Sequence, residues 1–231
     1  MNLRQRCHTK ELLDSDHIPF DDIKKNMQEL NFINTWLGGH RISIGGLKKL
    51  LDSRTHISIC EIGCGGGDNL AAIAKWCKEN GIGVTCTGID IKEECINFAK
   101  QNLQLPPETA WITNDYVAVR FHKKPDIIFS SLFCHHFTEA ELVKQILWMK
   151  ENTAIGFFIN DLQRHSAAYY SIKLLTKLFS SSYMVKNDAP LSVARGFTKK
   201  EWVNIFLLAG IPQFAVQWKW AFRYLIVCKN D

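Results

Sequence analysis

Four glycines in five positions, Gly63, Gly65, Gly66 and Gly67, constrain the fold of this 231-residue chain more than any other feature. Before them stands an apolar, β-rich heptapeptide, HISICEI (56–62). After them Leu70, Ile73, Ala74 and Cys77 recur at helical spacing until Asn80-Gly81. A second apolar run, GVTCTGIDI (83–91), follows at once. Strand, glycine turn, helix and strand in that order predict a right-handed crossover between parallel strands, since antiparallel neighbours need only a short turn. Glycines at such a turn permit positive φ and let a ligand approach the backbone, while the first N–H groups of the helix stay free to bind it.

The alternation continues. A helix over Glu93–Leu103 precedes a short strand, Ala110–Thr113; a fourth strand, Asp126–Ser131, precedes a helix over Glu139–Met149; a fifth covers Ala154–Asn160. Continuous apolar strands predict a sheet buried on both faces. Helices from about Phe20 to Leu51, interrupted at Gly38-Gly39, come before it. A helix over Lys199–Ala209 and two β-like runs, Gln213–Trp218 and Ala221–Cys228, close enough to pair as a hairpin, come after. The expectation is a doubly wound α/β domain with an antiparallel edge.

Length fits a single large domain, or one domain with an added cap. Apolar residues at 46% and charged residues at 22% exclude a disordered or fibrous chain. Lys and Arg exceed Asp and Glu by 28 − 23 = 5, spread along the chain, which permits an anionic ligand or weak membrane-surface contact without predicting nucleic-acid binding. Eight cysteines lie mostly in apolar runs with no CxxC pair, the pattern of reduced thiols in a cytoplasmic protein. No apolar signal region follows Met1–Arg6, and no stretch approaches the ~20 apolar residues of a membrane span, so stable membrane insertion is not expected.

The loop reads GxGxG with Glu61 two positions ahead of the first glycine; Asp68 stands where a dinucleotide GxGxxG would need its last glycine. Asp90, ending the second strand, can accept both hydroxyls of a ribose, and Asn114-Asp115, ending the third, can reach an adenine amino group. Three successive strand ends carry polar residues on the edge where open α/β sheets bind ligands. The loop taken alone also fits a plain glycine turn, with Asp90 as a helix cap.

Glu61–Asp68, Ile89-Asp90, Asn114-Asp115 and Ser130–Phe137 (SSLFCHHF) together resemble the ordered motifs of class I S-adenosylmethionine-dependent methyltransferases, over nearly the whole chain. Asn31–Arg41, Asn160–His165 and Asp188–Thr198 are similar to small-molecule, quinone-methyltransferase-like enzymes of a subgroup associated with type III polyketide synthases. The resemblance implies a Rossmann-like seven-stranded sheet with an antiparallel last strand. It also implies one domain over 1–231: a helical cap (1–52), a cofactor-binding core (53–161), a helical lid inserted after strand 5 (162–198), with a helix over Ser166–Phe179 and a loop to Phe197, and a last helix with the C-terminal hairpin (199–231). S-adenosylmethionine would be held by Glu61, Gly63, Cys64, Gly65, Gly67, Asp90, Ile91, Asn114, Asp115, Tyr116 and Ser131, with Arg41 at its methionine carboxylate. The acceptor would be a small hydrophobic phenolic, polyketide or quinone-like metabolite, methylated on oxygen or else on carbon, and held by Asp161, Arg164, His165, Tyr169 and Arg195.

Methyl transfer from a sulfonium is an in-line displacement, so the protein mainly orients the reactants and keeps the pocket dry. Ionising a phenol of pKa ~10 at pH 7 costs roughly 4 kcal/mol unless a base takes the proton. His135 is the first candidate base and His136 the second. The alternative is that one packs against the sheet while the other orients the loop. No metal is expected, because adjacent residues such as Cys134-His135-His136 do not easily face one ion. Arg164 equally fits a lid-closing pair with Asp161 or Asp188. The segment after strand 4 lacks the Asn/Asp-Pro-Pro-aromatic arrangement typical of nucleobase and glutamine methyltransferases, and no basic, aromatic-interleaved patch is present. Competing readings are a non-catalytic S-adenosylmethionine-binding module and, weakened by Asp68, a nicotinamide oxidoreductase.

Overall fold

The computed structural model describes residues 2–15 and 18–230; Met1 and Asp231, at the ends of the expected domain, and Asp16 and His17, inside the expected cap, lie outside them. Seven strands form one sheet in the order β3-β2-β1-β4-β5-β7-β6. They are β1 His56–Ile62, β2 Gly83–Asp90, β3 Ala110–Thr113, β4 Ile127–Ser131, β5 Gly156–Leu162, β6 Ala215–Lys219 and β7 Arg223–Lys229. The first five are parallel, and β7 runs antiparallel to both β5 and β6. The chain reverses its winding between β1 and β4, which opens a crevice at their carboxyl ends.

Burial on both faces follows from the continuous apolar runs of the inner strands. In β1, Ile57 and Ile59 pack with Leu47 and Leu50 of α2 (Gly39–Leu51) and Leu70 and Ile73 of α3 (Asp68–Glu79). Cys60 and Ile62 point the other way, into a cluster with residues from two later helices. These are Leu142 and Ile146 of α5 (Glu139–Asn152), and Trp202 and Phe206 of α8 (Lys199–Leu208). α2 therefore belongs to the sheet-packed layer, although the sequence groups it with the N-terminal cap. α1 (Phe20–Trp36) instead sets Ile23 and Met27 against Cys95 and Phe98 of α4 (Glu93–Asn102), over the glycine loop.

Two expectations are corrected. β5 is shifted two residues toward the C-terminus, which puts Asp161 inside the sheet, opposite Tyr224 of β7. After α6 (Ser166–Phe179), the segment expected as a loop forms α7 (Tyr183–Arg195) despite Pro190. Pro190 removes one helical hydrogen bond. Ser182 caps the start by accepting from the Val185 N–H, and Met184, Val185, Asp188, Leu191 and Ala194 bury one face. Seven of the eight cysteines are buried, all but Cys7. No helix among the described residues is long and apolar enough to cross a membrane.

Gly46 in α2 lies so close to the Phe158 ring that an added Cβ would sit 2.5 Å from it. Helix propensity alone predicts that Gly46→Ala stabilises by about 1 kcal/mol; the clash predicts a cost of about 1–3 kcal/mol. We expect the clash to dominate and the thermal midpoint of Gly46→Ala to fall. An unchanged or higher midpoint would refute this packing account.

Candidate active site at the sheet's carboxyl edge

A cavity of about 940 Å³ lies at the carboxyl ends of β1, β2, β3 and β4, near the upper limit for a small-molecule site and large enough for two ligands side by side. Its floor at one end is the glycine loop. Gly63, Gly65 and Gly67 all have positive φ, at 64°, 51° and 75°. A Cβ on Gly63 would strike the Phe133 ring at 2.2 Å, whereas one on Gly65 would meet nothing within 4 Å, so the loop exposes backbone to the cavity at that point. Asp90 holds the loop in place: one carboxylate oxygen accepts from the Gly65 N–H and the other from the Lys92 N–H, at 2.8 and 2.9 Å. At the mouth Ile91 is 70% and Val117 50% exposed, two apolar side chains with no cover.

The opposite end is built around the turn Cys134–His136. Leu132, with φ of 54°, swings the chain out of β4 in a conformation that a branched residue rarely adopts. The turn's carbonyls are then clamped by two guanidiniums. Arg195 donates to the oxygens of His135 and His136, and Arg6 to those of His135 and Phe137. His135 is buried, with Nδ1 2.8 Å from Asp161; His136 is partly open, with Nδ1 2.9 Å from Asp14. Asp14 also bonds Arg195 at 3.0 Å.

Of the residues expected to hold a cofactor, Glu61, Gly63, Cys64, Gly65, Asp90, Ile91, Asn114, Asp115, Tyr116 and Ser131 line this cavity. Gly67 does not; it closes the loop against Trp111. Arg41 is exposed on α2 and does not line it either, because helical phase turns it away while Ile42 and Ser43 face inward. His135, His136 and Arg195 line it; Asp161, Arg164, His165 and Tyr169 do not. Asp161 lies behind His135, in contact with its Nδ1. Arg164 pairs with neither Asp161 nor Asp188 but with Glu201, at 2.7 and 3.0 Å. His165 caps α6 by accepting from the Ala167 N–H, and Tyr169 packs among Ala168, Val193 and Ala194. The insertion after β5 thus contributes only Arg195 to the cavity lining. The roof comes from the N-terminal arm, through His8, Lys10, Leu13 and Asp14, and from α1.

Sequence reasoning missed this arm. Glu11 and Asp14 reach the site because Asp188 of α7 accepts from the N–H groups of Leu12 and Leu13, at 2.8 and 3.0 Å. Nothing in the spacing Glu-Leu-Leu-Asp announces that role. His40, whose Nε2 lies 2.7 Å from Asp68, was missed as well; its partner occupies the position where a dinucleotide loop has glycine.

Residues 59–152, from β1 through α5, match a protein-family model described as a methyltransferase domain. No curated protein sequence matches significantly. Among solved structures, the plantazolicin methyltransferase BpumL in complex with SAH aligns over 91% of this chain and 90% of that one, with a TM-score of 0.66 and 18% identity. Magnesium protoporphyrin IX methyltransferase from Synechocystis PCC 6803 with bound SAH aligns over 94% and 90%, at 0.52 and 16%. Human N-acetylserotonin methyltransferase in complex with SAM aligns over 92% of this chain and 56% of that one, at 0.61 and 14%. The fold is the α/β methyltransferase fold.

Within that fold the two ends of the cavity differ electrostatically. Glu61 is 1% exposed and its Oε2 has no hydrogen-bond partner among the described residues. Burial, with the neighbouring Asp68 and Asp90 carboxylates, pushes its pKa well above the ordinary 4.5, opposed only by the Leu70 N–H. Burial also raises Asp90, against the N–H groups of Lys92 and Gly65. At the other end burial alone would depress the His135 pKa, but the Asp161 carboxylate and Glu11 outweigh it and hold the imidazole up at about 9.

A carboxyl whose pKa is raised by folding favours the native state fully below its unfolded pKa, and that contribution is lost as pH rises toward the folded value. Glu61→Gln, which cannot ionise, should therefore match the wild type in stability near pH 4 and exceed it at pH 7. The gap should widen by up to about 1.4 kcal/mol per pH unit in between. Melting curves across that range test this in the ligand-free chain, and a constant gap would refute it.

Proposed function

We propose that the protein is an S-adenosylmethionine-dependent methyltransferase acting on oxygen of a small, hydrophobic phenolic, polyketide or quinone-like metabolite. The observation that carries this is the buried Glu61 carboxyl oxygen without a partner beside a glycine loop that leaves open space at Gly65. An isolated buried carboxyl is costly, and a cationic ligand group would relieve it. In this reading Glu61 and the Gly63–Gly65 backbone hold the amino-acid part of the cofactor, and Asp90 accepts from its ribose hydroxyls with the lone pairs left over from Gly65 and Lys92. Ile91 and Val117 cover the two faces of its adenine, and Asn114 and Asp115 meet the ring edge. Bound there, S-adenosylmethionine supplies an electrophilic methyl group.

The chain's own residues then orient the acceptor and exclude water. Phe133, Phe137, Leu13 and Met27 supply apolar walls consistent with a hydrophobic acceptor. Of the two histidines, the partly open His136 is the one that reaches the acceptor, while Asp161 and Asp14 fix the ring orientations. Cysteines that are buried in all but one case suit a reducing compartment such as the cytoplasm. The nicotinamide reading is disfavoured further by Asp68, which is engaged with His40.

Titration calorimetry should give micromolar binding of S-adenosylmethionine and S-adenosylhomocysteine. Asp90→Ala should weaken it by about 10- to 100-fold, the worth of one or two hydrogen bonds to a charged group. Binding of NAD in their place would overturn the proposal. With phenolic acceptors, His136→Ala should lower the rate of S-adenosylhomocysteine release by about 10²-fold or more while cofactor affinity stays within a factor of about three. Binding without turnover on any acceptor would favour the non-catalytic module.

A further inference from the structure

The contacts of the two histidines leave a feature that methyl transfer as described does not use. Both rings have their Nδ1 fixed by a carboxylate, His135 by Asp161 at 2.8 Å and His136 by Asp14 at 2.9 Å. Both Nε2 atoms turn toward one further carboxylate, that of Glu11, at 3.5 and 3.9 Å. Those separations are long for hydrogen bonds. One donor atom from each of Glu11, His135 and His136 lies within 4.8 Å of the other two. Ligands around an ion at about 2.0–2.2 Å stand about 3–3.5 Å apart, so small ring rotations suffice to close the triad on one.

Adjacent histidines do not ordinarily converge. Here the turn Cys134–His136, with its carbonyls clamped by Arg6 and Arg195, brings the two ring centroids to 4.4 Å with only 34° between the planes. The surroundings suit a cation as well. Metal-binding histidines typically donate Nδ1–H to a carboxylate, which orients the ring and raises its basicity. Glu11 is steadied in the same way, since Ser192 donates to its Oε1 at 2.8 Å. The cluster sets three carboxylates, Glu11, Asp14 and Asp161, beside the two guanidiniums of Arg6 and Arg195. His135 and His136 also line the cavity, so a cation held there would adjoin its acceptor end.

The geometry points to a divalent transition-metal site formed by Glu11, His135 and His136, of the two-histidine, one-carboxylate type that suits zinc or ferrous iron. The cation site stands by itself; its consequence, that the acceptor presents an oxygen to the metal and is ionised by it, rests on the methyltransferase reading. The expectation of a metal-free site assumed that neighbouring residues cannot share an ion and did not include Glu11, which arrives from 124 positions earlier than His135 (135 − 11).

The full chain, stripped with a chelator and dialysed against Zn²⁺, should retain about one zinc per chain by elemental analysis and melt at a higher temperature than the stripped form. His136→Ala and Glu11→Gln should each reduce zinc affinity at least about 10-fold, with circular dichroism showing that both still fold. Cys7→Ser, which removes the one thiol that is not buried, should retain the full zinc content. Co²⁺ in place of zinc should give d–d absorption with no thiolate charge-transfer band. Failure to retain zinc, equal retention by both variants, or a thiolate band would overturn the site and leave the cluster as an ion-paired latch for the arm. None of these readouts requires methyl transfer, so loss of S-adenosylmethionine binding would sink the proposed function while leaving the metal count to be judged alone.

Discussion

The contact between the buried Asp161 carboxylate and His135 ties together more of this molecule than any other. Asp161 lies in β5, His135 in the turn after β4, and the carbonyl of His135 receives Arg6 from the N-terminal arm and Arg195 from the end of α7. Burial would push Asp161 up, but the His135 charge and hydrogen bond bring its pKa below the ordinary range. Removing either partner would strand a buried charge, at a cost of several kcal/mol. Four segments distant in sequence are thereby locked into one wall of the cavity. The pair's value lies in specifying that arrangement, since an apolar replacement of both groups can be equally stable.

The far wall solves a different problem. Three carboxyls, Glu61, Asp68 and Asp90, crowd the glycine loop, and each is accommodated differently. Asp68 meets His40, Asp90 takes two backbone N–H groups, and Glu61 is left with an unpartnered oxygen. The loop itself is stiff despite its glycines. Gly63 fits under Phe133 and Gly67 under Trp111, so two of the three positive-φ residues are packed and only Gly65 has open space where a Cβ would stand. Fold stability is thus spent on holding a polar surface ready, a pattern expected where a ligand completes the charge balance.

Much of this was legible in the residues. The strand–glycine–helix–strand order forced the parallel crossover, and polar residues at successive strand ends marked the edge at which the cavity lies. The readings that shifted share a cause: they depended on which way a side chain turns once an element is packed. Arg41 sits one position from inward-facing Ile42 and points out. Tyr169 looked like a pocket aromatic and became core, because α6 packs that face on α7. The segment after α6 was expected as a loop and holds Pro190, yet burial of one face of α7 outweighs a single missing hydrogen bond.

By itself the sequence determined the layered α/β architecture, the glycine loop and the acidic residues at the ends of β1 and β2. Those follow from local chain chemistry: φ angles that only glycine adopts easily, apolar runs that must be buried on two faces, and connections too long for anything but a crossover. Only the tertiary structure decided what roofs the cavity and what meets the two histidines. Glu11 and Asp14 carry no local pattern that separates them from other surface acids. They reach the site because Asp188, more than 170 residues away, captures two backbone N–H groups beside them, and a partnership set by long-range packing leaves no trace in sequence spacing.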